Sequence, residues 1–139
     1  MSALSQTASS VIFSSSAAVG PIRTAGASIA KGQLCYYDST AGTVKLAGAA
    51  VSGIASFTEF GLAYYGAASG QQIQLVQYDP SCTLGATLSP GIPVQAHTTA
   101  GSMTQTQADL SSGNVGISCG IAKSATVINL NVQLGAALS

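Results

Sequence analysis

The chain repeats itself. GASIAKGQLCYYDSTAG, beginning at Gly26, and GATLSPGIPVQAHTTAG, beginning at Gly85, align without a gap at a spacing of 59 residues. Gly26, Ala27, Gly32, Thr40, Ala41 and Gly42 recur identically, Ser28 becomes Thr87 and Ile29 becomes Leu88. A duplication of this kind constrains the fold before any propensity does, because each copy is one supersecondary unit that needs a neighbour to cover its apolar face. Pro90-Gly91 stands where the first copy has Lys31-Gly32. Pro-Gly suits the centre of a type II turn, whose second central residue takes positive φ, so the same turn is expected at Lys31-Gly32.

Further on, Ser52-Gly53-Ile54-Ala55 is answered by Cys119-Gly120-Ile121-Ala122, and each copy closes with a strand-like run, QQIQLVQY from Gln71 and VINLNVQL from Val127. In the second run Ile128, Leu130, Val132 and Leu134 alternate with Asn129, Asn131 and Gln133. That is the period of a strand with one apolar face and amides outward. The first run is less regular, with Ile73 and Leu75 on one face and Val76 and Tyr78 on the other. Short apolar runs are separated by Gly, Ser, Thr and Pro clusters, and no window combines helical spacing with caps. The chain is therefore read as all-β, a small barrel or sandwich built from two repeated β units. The β domain spans residues 26–139, with repeat one at 26–78 and repeat two at 85–134, preceded by an extended N-terminal arm at 1–25. The arm is rich in Ser and Ala around a single apolar patch, Val11-Ile12-Phe13. Its composition is that of a tail, and a neighbouring subunit is the simplest partner to order it.

The copies disagree in one place. Between Gly-Ile-Ala and the closing strand the first copy uses 18 residues, Ala55 to Ile73, and the second uses six, Ala122 to Ile128. The extra length holds Phe57, Phe60, Tyr64 and Tyr65, half of the eight aromatic residues. These rings either fold back over the core or anchor a partner, since aromatics dominate both settings. Val11, Ile12, Phe13, Phe57, Phe60, Tyr64 and Tyr65 are thus the candidate interface residues for contact with another protein or another subunit.

Only eight of the 139 residues are charged, four of each sign. A neutral chain offers no basic footprint for nucleic acid and no polybasic patch for anionic lipid. So few charges suit a surface that is covered in an assembly, because desolvating Ser, Thr or Gln costs far less than desolvating Lys or Glu. Cys35, Cys82 and Cys119 are odd in number, without metal-ligand spacing, and read as small buried apolar groups in a protein made in a reducing cytoplasm. The N-terminus lacks a basic start and a long apolar run, so it is not read as a signal peptide, and no stretch approaches the length of a membrane span. Gly116-Ile117-Ser118-Cys119-Gly120 matches G-x-S-x-G, but no acid or histidine follows it, as the nucleophile elbow requires. An order of His97, Asp109 and Ser118 exists only on paper, and His97 is expected to face solvent in a turn. No carboxylate pairing, phosphate loop or metal pattern occurs. Catalysis, a cofactor and a metal are not expected.

The order AG-x-x-I-x-x-G-x-x-x-Y-x-D, then G-x-V-x-x-A, then G-I-A, then G-x-x-I-x-L resembles the small capsid decoration, or cement, proteins of tailed bacteriophages. It is carried here by Ala25, Gly26, Ile29, Gly32, Tyr36, Asp38, Gly42, Val44, Ala47, Gly53, Ile54, Ala55, Gly70, Ile73 and Leu75. The resemblance implies a non-enzymatic β-rich protein on the outer capsid surface of a virion, synthesised in a host bacterial cytoplasm. Its implied partner is the major capsid protein, and its implied state a homo-oligomer, a trimer favoured, that bridges neighbouring capsomers and resists internal DNA pressure. The chain departs from such relatives in its scarcity of acidic residues. Two rivals stand beside this reading. One is another virion component, such as a head fibre base, tail subunit or host-binding adhesin; the other is an enzyme using Ser118 or His97.

Overall fold

The computed structural model describes residues 3–51, 53–106 and 115–137. Among them the regular structure is almost entirely strand. A 3-10 turn at Ala8–Ser10 and strands β1 (Ala18–Val19) and β2 (Arg23–Thr24) come from the N-terminal segment. They are followed by β3 (Leu34–Asp38), β4 (Thr43–Leu46), a second 3-10 turn at Ile54–Ser56, β5 (Phe60–Ala63), β6 (Gln72–Ile73) and β7 (Leu75–Thr83). The second half supplies β8 (Pro93–Ala96), β9 (Met103–Thr104), β10 (Val115–Ala122) and β11 (Val127–Ala137). One curled antiparallel sheet runs β4-β3-β5-β7-β11-β10-β8-β9, with β1 on β7 and a small β2-β6 sheet apart. The sheet's two ends are stitched together through loops, Gly101 N–H to the Ala47 carbonyl at 2.7 Å and Ala49 N–H to the His97 carbonyl at 3.0 Å.

The sheet order is a palindrome of the repeat. β3, β4, β5 and β7 correspond to β8, β9, β10 and β11, and the 59-residue spacing is kept in the hydrogen bonds. Leu34 pairs with Leu62 and Cys35 with Gly61, while Pro93 pairs with Ile121 and Val94 with Gly120. Tyr36 faces Lys45 and Tyr37 faces Val44, as Gln95 faces Thr104 and Ala96 faces Met103. Gly32 N–H donates to the Ala63 carbonyl at 2.9 Å, and Gly91 N–H to that of Ala122 at 2.8 Å. The expected turn is present in both copies, with φ of 86° at Gly32 and 80° at Gly91.

These pairings correct part of the sequence alignment. The structural counterpart of Gly120-Ile121-Ala122 is Gly61-Leu62-Ala63 on β5, not Gly53-Ile54-Ala55. Gly53 takes the left-handed conformation and Ile54–Ser56 form a 3-10 turn rather than a strand, and Ser52 lies outside the described residues. Both true counterparts are glycine because a neighbouring strand passes too close for a side chain. A Cβ on Gly61 would meet the Val76 carbonyl oxygen at 2.8 Å, and one on Gly120 would meet that of Asn129 at 2.0 Å. The extra length of the first copy therefore falls after β5, between Ala63 and Leu75. The closing run of that copy breaks at Gln74 into β6 and β7, and β7 continues to Thr83.

Although register is shared, the halves bury opposite faces. Leu34, Tyr36, Leu62 and Val76 of the first half enter the main core, which they share with Val94, Ala96, Ile117, Ile128, Leu130 and Val132 of the second. The counterparts of Leu34 and Leu62 are Pro93 and Ile121, both exposed. The counterpart of Val94 is Cys35, which sits in a second core with Ala25, Ile29, Val44, Ala63, Ala67, Ile73 and Leu75. Alternate strand residues point to opposite faces, so the second half meets the shared core with the face that the first half turns outward. The segment between β5 and β7, together with β2 and the residues after it through Ile29, covers that outward face of the first half.

The N-terminal segment is ordered by its own chain. Ile12 exchanges both backbone hydrogen bonds with Thr83, Gly20 N–H donates to the Leu75 carbonyl, and Leu4 N–H donates to that of Met103. One residue before β7, the Gln74 carbonyl accepts from the N–H of Tyr64, just past β5. Carbonyls of adjacent strand residues point to opposite edges, so the arm closes the edge of β7 that β5 does not. Exposed edges invite pairing with other chains, and here the arm removes most of that invitation. Val11 is fully buried, and Leu4, Phe13 and Ala17 pack against the main core.

Candidate functional site

The seven candidate interface residues divide by the same alternation that built the strands. Val11 and Phe60 are core residues, 0% and 2% exposed, and so do not face a partner. Phe57 lies against the main core with its ring 5.0 Å from that of Tyr36, and Phe60 is 6.5 Å from the same ring. Burial of these rings is the folded-back alternative, met by half of the aromatic set. The other half gathers at the surface. The Phe13 ring of the arm packs tilted against Tyr64 at 5.6 Å, and Tyr64 against Tyr65 at 5.9 Å. The arm and the aromatic segment, separate candidates in the sequence, thus meet at one seam. Of the seven, Ile12 at 60% and Tyr64 at 38% are the exposed members.

Of the seven described charged residues, all but Lys31 bond within the chain. Arg23 on β2 clasps Glu59 through two hydrogen bonds, Nη2 to Oε1 at 2.7 Å and Nε to Oε2 at 3.2 Å, and stacks 4.0 Å over the Tyr37 ring. Its hydrogen bond to Glu59 raises the guanidinium pKa against the opposing effect of desolvation. Asp38 accepts from Lys45 at 2.8 Å and from the backbone N–H groups of Thr40 and Ala41, both at 3.0 Å. The Lys45 hydrogen bond, then that of Ala41, holds the Asp38 carboxyl below the ordinary carboxylate range. Asp79 is fully buried on β7, accepting from the Ser14 N–H at 2.7 Å, from the Ser14 hydroxyl and from the Ser81 N–H at 3.1 Å. It pins the arm to the strand it covers. Asp109 lies outside the described residues, so no described acid projects unpaired into solvent.

The residues weighed for catalysis have other roles. Ser118 is exposed in mid-strand on β10, paired with Gln95 and Gln133, rather than at a strand-to-helix turn. His97, expected to face solvent, is 8% exposed. Its Nδ1 accepts from Thr99 N–H at 3.1 Å, as its repeat counterpart Asp38 accepts from Thr40. An imidazole nitrogen here closes the turn that a carboxylate closes in the first copy, and the end-to-end stitching of the sheet buries it. Cys35, Cys82 and Cys119 are free and buried, as expected. Burial pushes the thiols of Cys82 and Cys119 up to about 12 and that of Cys35 higher still. Thiolate, the reactive form, is then negligible near neutrality. Among the described residues no group of three or more His, Cys, Asp or Glu side chains could hold a metal, and no helix is long and apolar enough to cross a membrane.

The Asp79–Ser14 latch was not legible in the sequence, where the two residues lie 65 positions apart. The outward amides of β11 were legible as a face, but not as an exposed surface of the whole molecule. No protein-family model matches the chain, and no curated protein shows significant similarity to it.

Proposed function

We propose that the protein is a non-enzymatic structural component of a phage virion, binding the outer capsid surface and stabilising it as a homo-oligomer that bridges neighbouring capsomers. The observation that carries this reading is the resemblance of the repeated Gly-based pattern to capsid decoration proteins, on residues from Ala25 to Leu75. The internal consumption of charge supports it, since a neutral Ser, Thr, Ala and amide surface is inexpensive to cover in an assembly. The buried thiols and the mid-strand Ser118 fit a binding role better than a chemical one. The seam of Phe13, Tyr64 and Tyr65, together with the exposed Ile12 next to it in the arm, is the capsid contact in this proposal, an apolar anchor repeated on each subunit so that several weak contacts act together.

The test is co-sedimentation of the purified chain with empty phage capsids, followed by the heat resistance of the decorated particles. Ile12→Glu combined with Tyr64→Glu is expected to abolish co-sedimentation while leaving the free protein folded, its thermal midpoint lowered by no more than the lost contacts of the Tyr64 ring with Phe13 and Tyr65. Binding to intact host cells instead of capsids would favour an adhesin. Turnover in a broad esterase screen that Ser118→Ala removes would overturn the non-enzymatic reading.

A further inference from the structure

The two halves pack head to tail, and this leaves one face over. The face of the first half that carries Leu34 and Leu62 is covered by the second half, and the opposite face of the first half is covered by the segment between β5 and β7. The corresponding open face belongs to the second half. It presents Gln95, Ser118, Ile121, Asn129, Asn131 and Gln133 across β8, β10 and β11, and pairing places Asn129 beside Ile121, Ser118 between Gln95 and Gln133, and Asn131 beside the exposed Tyr78. Ile121 is 53% exposed, and a shallow groove of about 240 Å³ runs along β10 and β11.

Two features distinguish this face. Among its described residues the one charge is Lys123, just past the end of β10, whose Nζ is already bonded to the Pro80 carbonyl at 2.9 Å and the Ser81 hydroxyl at 3.1 Å. Its carboxamides are also mostly idle: those of Gln6, Gln33, Gln71, Gln74, Gln77 and Gln105 all bond to backbone, whereas Gln95, Asn129, Asn131 and Gln133, like Gln72 elsewhere, make no side-chain hydrogen bond to another described residue. A carboxamide both donates and accepts, so a face of amides is complementary to a copy of itself.

We propose that this face is the contact of a two-fold symmetric dimer, its occupant being the same face of a second copy of this chain. The internal packing selects that occupant. A head-to-tail partner would have to offer the outward face of its first half, which its own β5–β7 segment already covers. Self-pairing of the open face closes with two subunits. The proposal is independent of any role on a capsid.

Because the native cysteines are buried, Asn131→Cys places the accessible thiol of the described surface at the centre of the face. Mild oxidation of Asn131→Cys is expected to give a disulfide-linked dimer at least about tenfold faster than oxidation of Gln72→Cys, an exposed control on β6 away from the face. Sedimentation equilibrium should show a concentration-dependent dimer of the wild type, weakened at least about 100-fold in Ile121→Lys with Asn131→Lys, at an unchanged thermal midpoint once monomeric. Should the double variant fail to fold, the cross-linking comparison decides alone. A wild type that stays monomeric up to about 100 μM, equal cross-linking of the two cysteine variants, or a trimer that persists in the double-lysine variant would each overturn the proposal.

Discussion

At the scale of single residues, Gly120 and Gly61 are the positions where the backbone tolerates least. An alanine methyl at Gly120 would sit 2.0 Å from the Asn129 oxygen with φ at +130°, so β10 and β11 would have to part. Gly120→Ala is expected to cost more than about 3 kcal/mol, and Gly61→Ala about 1–3 kcal/mol, because its nearest atom is 2.8 Å away. Urea unfolding of the two variants, compared through their midpoints, checks the order. Asp38 supplies the pH dependence. Its folded pKa is depressed by Lys45 and by backbone donors. Its contribution is therefore complete above the unfolded carboxylate pKa, about 3.9, and is lost as the pH falls through the lower folded value. Thermal midpoints measured from about pH 6 down to about pH 2 should decline below about pH 4, and Lys45→Met should flatten that decline. The turn at Asp38 was legible because it is local. His97 in the equivalent place was misread, since nothing local told that the sheet's ends would close over it.

Among the elements, the N-terminal segment changes meaning most. It was legible as a short apolar patch in a polar run, but not as the strand that closes the edge of β7. The latch is Asp79, whose buried carboxylate takes two backbone N–H groups and the Ser14 hydroxyl. Asp79→Ala strands those donors and is expected to cost about 2–4 kcal/mol. It should also raise hydrogen exchange at Ile12 and Gly20, the amides that bond to β7, well above that of β10 and β11. Equal protection in the variant would refute the latch. The aromatic segment behaves likewise. Its composition announced a site, yet Phe57 and Phe60 serve the core while Tyr64 and Tyr65 meet Phe13 at the surface. Composition sums over a segment, and the pleat then divides it between two faces.

For the molecule as a whole, the arm and both halves share one core, so unfolding should follow a single cooperative transition by calorimetry. Removing residues 1–20 takes Leu4, Val11, Phe13 and Ala17 from that core and bares an edge of β7. The truncated chain is expected to lose more than about 4 kcal/mol and to self-associate, measured by circular dichroism and light scattering. Point substitutions at Ile12 and Tyr64 are therefore the cleaner probes of partner binding. The pattern on which the proposed likeness to decoration proteins rests is made largely of buried positions, among them Ala25, Ile29, Tyr36, Val44, Ala47, Ile54, Ile73 and Leu75. What it encodes most directly is scaffold. By itself the sequence determined that the chain is all-β, that it is duplicated, where its glycine turns fall and which residues alternate, because each of these follows from φ preferences and a two-residue period acting over a few positions. Tertiary structure alone decided which face of each half is buried, which Gly-Ile-Ala-like triplet is the true echo, and where the arm lies. A two-residue period says that a strand has two faces, but only packing between distant segments chooses which of them meets the core.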